Sequence, residues 1–226
     1  MTETMGKTEA MGNDQARDIF RAAYENRYTW DHNFPGYTAD VSLKRGDEVY
    51  TGQVKLPADG MKAEVTNVVD EQAKKEIAEQ AWEIGVHRVR RTFEQTHGQN
   101  VFKLGETDKT GAVEIFVEGK AMGDRYKVRD NEVCLVHRHI REVVVTINTY
   151  TSHKTGEGYL SHRYDSAYHD AATGEAKGES DFEDTYEKVG DYYILTKRLI
   201  CSTQNGEDVT QEYSFSNVRL LQPAVV

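Results

Sequence analysis

The sequence predicts an α+β protein that is mostly antiparallel β: a long curled sheet or incomplete barrel of about nine to eleven strands, covered by two helices. Three observations lead there. Turn signals such as Gly46-Asp47, Asp130-Asn131 and Gly190-Asp191 separate runs that alternate apolar and polar residues. Helical periodicity appears only twice, from Asn13 and from Asp70. The 226 residues are enough for a real core, and no period of about 20–50 residues repeats, which excludes a solenoid or propeller.

Residues 1–12 read as a disordered tail and residues 13–226 as a single β-rich domain. Asn13 is a good N-cap for a helix reaching Tyr28, with Ile19, Phe20, Ala23, Tyr24 and Tyr28 on one stripe that needs the following sheet to cover it. Pro35-Gly36 ends any helix, and Trp30 and Phe34 read as anchors of the junction. From Tyr37 to Val65 three strands share one apolar face. The Gly46-Asp47 loop sets Leu43 opposite Tyr50, Val41 opposite Gly52, Ala39 opposite Val54 and Tyr37 opposite Leu56. A turn at Pro57-Ala58-Asp59-Gly60 then sets Leu56 opposite Met61, Val54 opposite Ala63 and Gly52 opposite Val65. A slip of one residue would turn that whole face to water.

Asp70 starts the second helix, with Ala78, Trp82, Val86, Val89 and Phe93 on one stripe and Ile77, Ala81 and Ile84 beside it. Gly85 marks a kink or a close approach. Arg88, Arg90 and Arg91 gather at the helix end, where cations suit the dipole. The rest is strands. Asp130-Asn131 sets Val128 opposite Val133 and Tyr126 opposite Leu135; Gly190-Asp191 sets Asp184 opposite Lys197 on the inner face. A two-residue loop at Asn205-Gly206 would turn Val209, Tyr213 and Phe215 away from Leu199 and Cys201, so a three-residue loop with a bulge is expected there.

The formal charge of −10 argues against general nucleic-acid binding. No apolar run is long enough for an integral membrane segment, and the first residues lack the basic start and apolar core of a signal peptide, so a cytoplasmic location is expected. Cys134 and Cys201 read as small buried apolar residues without a disulfide.

Enzyme motifs are absent: no G-x-S-x-G elbow, no P-loop, no dinucleotide fingerprint, no H-E-x-x-H. No cofactor or metal is called for. His137 and His139 share a strand face, but zinc needs further ligands. The acidic run from Asp165 to Lys188 reads as a solvated face that discourages edge pairing.

The runs NRYTWDHNFPGYTADVSLKRGDEVYTGQVKLPADGMKAEV and DNEVCLVHRHI resemble an uncharacterised family of cyanobacterial and chloroplast proteins, over nearly the whole chain after about residue 13. The order of helix, meander and covering helix, with YTGQVKLPADGMKAEV, more distantly resembles the periplasmic lipoprotein carriers. That resemblance implies an incomplete barrel holding acyl chains beneath a helical lid; those carriers are exported, however, and no export signal is read here.

Three readings follow. In the first, the concave face holds a lipid-like or pigment-like small molecule beneath the second helix, lined by Tyr37, Val41, Leu43, Tyr50, Val54, Leu56, Met61, Val65 and Trp82. In the second, the core is filled and a protein partner meets Arg88, Arg90 and Arg91 or the acidic strand. In the third, an enzyme uses the His137/His139 face; the missing motifs lean against it.

Overall fold

The computed structural model describes residues 2–204 and 206–222, with side chains from Asn13 onward except at Gln204. The first half of the chain forms α1 (Thr2–Glu25), β1 (Gly36–Arg45), β2 (Glu48–Pro57), β3 (Glu64–Thr66), α2 (Glu71–Arg88), α3 (Phe93–His97), β4 (Val101–Thr107) and β5 (Val113–Glu118). After a 3-10 turn at Gly119–Ala121 come β6 (Arg125–Arg129), β7 (Glu132–Ile140), β8 (Val143–Lys154), β9 (Tyr159–Asp170), β10 (Ala176–Val189), β11 (Tyr192–Gln204) and β12 (Glu207–Leu220). The strands form one antiparallel twelve-stranded sheet in the order β3-β2-β1-β12-β11-β10-β9-β8-β7-β6-β5-β4. It is open, with β3 and β4 as its edges. No described helix is long and apolar enough to cross a membrane.

The chain divides into two compact units: Met1–Arg27 with Arg91–Ser180, and Tyr28–Arg90 with Asp181–Val226. In the α1 unit, Ala16, Phe20, Ala23 and Tyr24 are buried against Phe93, Phe102, Ile115, Val117, Tyr126 and Val128. The stripe from Ile19 to Tyr24 is there, but the helix starts at Thr2 rather than at an Asn13 cap and ends at Glu25, short of Tyr28, and the stripe's partners come from α3 and the strands after residue 100. Phe20 stacks on Tyr126 with ring centroids 4.2 Å apart. Asp130 and Asn131 both take positive φ, 53° and 59°, as a two-residue hairpin turn requires. Val128 pairs with Val133 as expected, but an irregularity between Lys127 and Val128 moves Tyr126 opposite Val136.

In the α2 unit, β1 and β2 pair in the expected register, from Tyr37 opposite Leu56 to Leu43 opposite Tyr50. The β2–β3 register differs by two residues: Val54 faces Val65. A shift of two preserves parity, so Val65 still points inward. Met61 leaves the ladder because Gly60 is used for packing. A Cβ on Gly60 would lie 2.9 Å from the Cα of Gly85 in α2, so the close approach expected at Gly85 has Gly60 as its other side.

Asp70 caps α2, accepting from the Ala73 N–H at 2.7 Å. The helix ends at Arg88 rather than running on through Phe93. Thr92 opens α3 with a capping box, and Phe93 belongs to the α1-unit core. At the junction Trp30 and Phe34 stack at 4.0 Å, and the Trp30 indole N–H donates to the Tyr193 carbonyl at 3.0 Å.

Candidate functional site

The face of α2 that meets the sheet is narrow and made of small or β-branched side chains: Ala73, Ile77, Ala81, Ile84 and Gly85 are buried. This corrects the expected orientation. Of the Ala78–Trp82–Val86 stripe, Ala78 and Val86 are half-buried and Trp82 is 48% exposed, because the smaller stripe is the one that lets the backbone reach Gly60. Met61, outside the ladder, is 51% exposed. Neither lines an interior. Tyr37, Val41, Leu43, Val54, Leu56 and Val65 are all buried on one face of β1–β3, and Tyr50 is half-buried beside Arg45, whose Nη2 donates to its hydroxyl at 3.1 Å.

Beside the apolar stripe, α2 carries acceptors at Glu76, Gln80 and Glu83, on one side of the helix at i, i+4 and i+7. Arg45 Nη1 donates to Glu76 Oε1 at 3.2 Å and Gln211 Nε2 to Glu76 Oε2 at 3.0 Å. Arg198 Nη1 donates to Gln80 Oε1 at 2.9 Å and to Glu83 Oε1 at 3.2 Å. The rest of that guanidinium forks onto Asp184, at 2.8 Å from Nε and 2.7 Å from Nη2. Arg198 and Asp184 are 4% and 1% exposed. Charges so deeply buried persist only when paired and hydrogen-bonded, and here every arm of the fork has an acceptor. Tyr186 donates to Asp184 at 3.2 Å and accepts from Arg88 at 2.9 Å. Burial pushes the Tyr186 hydroxyl up to about 12, so it serves as a neutral donor.

The sequence placed neither residue of this pair with its partner. Asp184 meets Arg198; Lys197 lies on the other face and pairs with Glu212 at 2.9 Å. The β11–β12 register also differs from the expected bulged loop. Leu199 faces Glu212, Cys201 faces Thr210 and Arg198 faces Tyr213, which is the register of the simple loop at Asn205-Gly206. Asn205 itself lies outside the described residues. The inward set on β11 is therefore Arg198 and Ile200, and Cys201 is exposed rather than buried; Cys134 is half-buried, and both thiols are free. The available signal was Tyr213 and Phe215. Taken with the shortest loop, their parity puts an arginine inside.

Tyr37 is fully buried and its hydroxyl has no hydrogen-bond partner among the described residues; burial holds it well above the usual tyrosine range. Two hollows among the described residues are lined mainly by residues off this face. One, of about 480 Å³, is lined by polar-face residues such as Thr38, Asp40, Gln53, Lys55, Glu64 and Arg219. There Asn217, at φ 51° in a bulge of β12, donates to Asp40 at 2.7 Å. The other, about 190 Å³, lies in the α1 unit between the Arg129–Cys134 and Thr149–Lys154 segments.

The three arginines have different surroundings. Arg88 is held by Tyr186, Arg90 donates to the Thr29 hydroxyl at 3.0 Å, and Arg91 is exposed. His137 and His139 share a face, ring centroids 5.6 Å apart. His137 contacts Thr146 at 2.8 Å, and the His139 backbone N–H donates to Asp124 at 2.8 Å. Among the described residues no group of three or more His, Cys, Asp or Glu is placed to hold a metal. Asp165, read as part of a solvated run, is buried; it accepts from the Asn148 backbone at 3.1 Å and from the Tyr150 hydroxyl.

Residues 11–221 match the family described as "Protein of unknown function (DUF3386)". The chain belongs to that family. No curated protein matches it. Among solved structures, it is similar to a putative outer membrane lipoprotein-sorting protein domain from Vibrio parahaemolyticus, with 10% identity, 93% of this chain and 94% of that chain covered, and a TM-score of 0.34. A likeness of that size leaves the ligand question to the residues themselves.

Proposed function

We propose that the protein binds an apolar small molecule on the β1–β3 face that α2 covers, with α2 as a lid and residues 13–226 acting as one domain. One observation carries the reading. A continuous apolar floor of Tyr37, Val41, Leu43, Val54, Leu56 and Val65 is covered by a helix seated through small side chains and clasped along one side by polar contacts. The floor is filled while α2 is seated, so binding requires α2 to lift. Polar contacts can be exchanged for water at little net cost, whereas large interlocked side chains cannot. The unpartnered Tyr37 hydroxyl fits the same reading, since a ligand bearing a polar group would satisfy it.

Native mass spectrometry of the purified protein, with titration of the hydrocarbon dye diphenylhexatriene, tests this. A mass lost on denaturation, or saturable uptake of one dye per chain, supports it. A bare chain that takes up no dye overturns it.

A second reading, a filled-core factor that works through its surface, is favoured by the exposure of Trp82 and Met61. It expects Trp82→Ser with Met61→Ser to abolish capture of a protein partner while the folded core is unchanged.

A further inference from the structure

We infer that the ligand of the α2-covered face is an anionic amphiphile, whose carboxylate takes the place of Glu83 on Arg198 while its chain lies on the apolar floor. The inference rests on the proposed function and names the class of molecule.

The floor and the guanidinium belong to one surface. Leu43 faces Tyr213 across β1–β12, and Tyr213 faces Arg198 across β12–β11. Directly opposed residues in neighbouring strands share a face, so Leu43, Tyr213 and Arg198 form one cross-strand row. Val41 and Phe215 form a parallel row beside it, both buried. A chain lying along these rows has its head at Arg198.

Arg198 is built to receive a carboxylate there. Asp184 fixes its Nε and Nη2 edge, so the planar fork is oriented before anything binds. The remaining Nη1 points at α2, where Gln80 and Glu83, side chains of the lid itself, accept from it. Glu83 is the replaceable one. Its contact is the longer, 3.2 Å against 2.9 Å for Gln80, and its side chain is 35% exposed, against 5% for Arg198. The lid thus presents a carboxylate of its own to the same nitrogen that a ligand's carboxylate would need. The two compete for one charge-assisted hydrogen bond. An incoming anion that wins removes one of the contacts seating α2, which couples head-group recognition to lid opening. A neutral amphiphile must lift α2 without replacing the hydrogen bond that Arg198 loses.

The test compares hexadecanoic acid with hexadecanol by displacement of diphenylhexatriene from the full chain. The wild type is expected to bind the acid about tenfold or more tightly than the alcohol, the range a charge-assisted hydrogen bond supplies. Glu83→Gln removes the competing carboxylate and loosens α2 for either ligand, so it should tighten both, the acid several-fold more than the alcohol. Arg198→Met with Asp184→Asn removes both buried charges together, avoiding an unpaired one, and should equalise the two ligands. Because that double variant can fail to fold, Glu83→Gln at a half-exposed position carries the test alone if it does. Equal affinities for acid and alcohol in the wild type, or a Glu83→Gln variant unchanged toward the acid, overturn the head-group assignment and leave the carrier reading standing. Failure of both compounds to displace dye from any variant sinks the carrier reading instead.

Discussion

The two helices that cover the sheet are seated by opposite means. In the α1 unit, Phe20 and Tyr24 interlock with Phe93, Phe102 and Tyr126, and His97 lies among them with its ring 5.0 Å from Phe20 and 5.0 Å from Tyr24. In the α2 unit, the buried stripe is alanine, isoleucine and glycine, and much of the specificity comes from Arg45, Gln211 and Arg198 on Glu76, Gln80 and Glu83. Large aromatic surfaces give the first helix a deep apolar seat. The second has less apolar area and more exchangeable polar contact. The contrast fits the proposal that α2 lifts while α1 stays seated.

The largest effect that would sharpen the contrast is expected from Phe20→Ala. Removing a fully buried ring from the aromatic cluster should cost about 3–5 kcal/mol in urea unfolding. A loss below about 1 kcal/mol would mean the cluster is not the tight seat described, and the comparison would break.

His97 gives the next. Burial, then the charges of Arg138 and Arg27, lower its imidazole from 6.5 to about 4, so the folded state keeps it neutral. The unfolded chain takes up a proton below 6.5 that the folded chain refuses until about 4. The contribution is therefore complete above pH 6.5 and is lost as the pH falls toward 4, by roughly 3 kcal/mol in all. Urea midpoints across that window should fall more steeply for the wild type than for His97→Phe. Parallel profiles would remove His97 from the account.

What the sequence made legible follows from where local signals agree. The β1–β2 register was readable because Gly46-Asp47 fixes the loop and Tyr37, Ala39, Val41 and Leu43 alternate without exception. The α1 stripe was readable from the spacing of Phe20, Ala23 and Tyr24. The β2–β3 register was not, because Gly60 looks like a turn glycine while its packing role depends on Gly85, twenty-odd residues away in a different element. The orientation of α2 is not legible in this way, because hydropathy favours Trp82 and Val86 over Ala73 and Ala81, whereas close approach favours the small residues. The clasp stayed hidden for a simpler reason. A pattern reading assigns arginine to solvent, and Arg198 is inside only because Asp184, Gln80 and Glu83 satisfy it, a fact of tertiary structure.

Gly85→Ala probes the α2 seat at its tightest point. Helix propensity alone favours alanine by about 1 kcal/mol. The added methyl, however, runs into the carbonyl oxygen of Gly60 and lies 2.8 Å from its Cα, both of them backbone atoms that cannot swing aside. A net loss of about 1–2 kcal/mol is expected in thermal or urea unfolding, together with greater dye uptake as α2 is pushed off the floor. A gain in stability would show that the two glycines are not in firm contact, and α2 would then be looser than drawn.

The smallest effect separates stability from mobility. Glu76 accepts from Arg45 and Gln211 at the edge of the unit, and the Arg45–Glu76 pair is partly exposed, at 29% and 17% of side-chain area. Glu76→Gln keeps one acceptor and loses the charge. An ion pair this close to water contributes about 0–1 kcal/mol, so global unfolding should scarcely move. Local opening responds differently, because the clasp is part of what α2 must break to lift while the sheet stays folded. Hydrogen exchange of the α2 amides should therefore accelerate several-fold in the variant while the α1 amides from Ala16 to Tyr24 keep their protection. If both helices accelerate together, the two covers open as one and the distinction between a fixed seat and a movable one is lost; if only α2 responds, the polar clasp governs its opening.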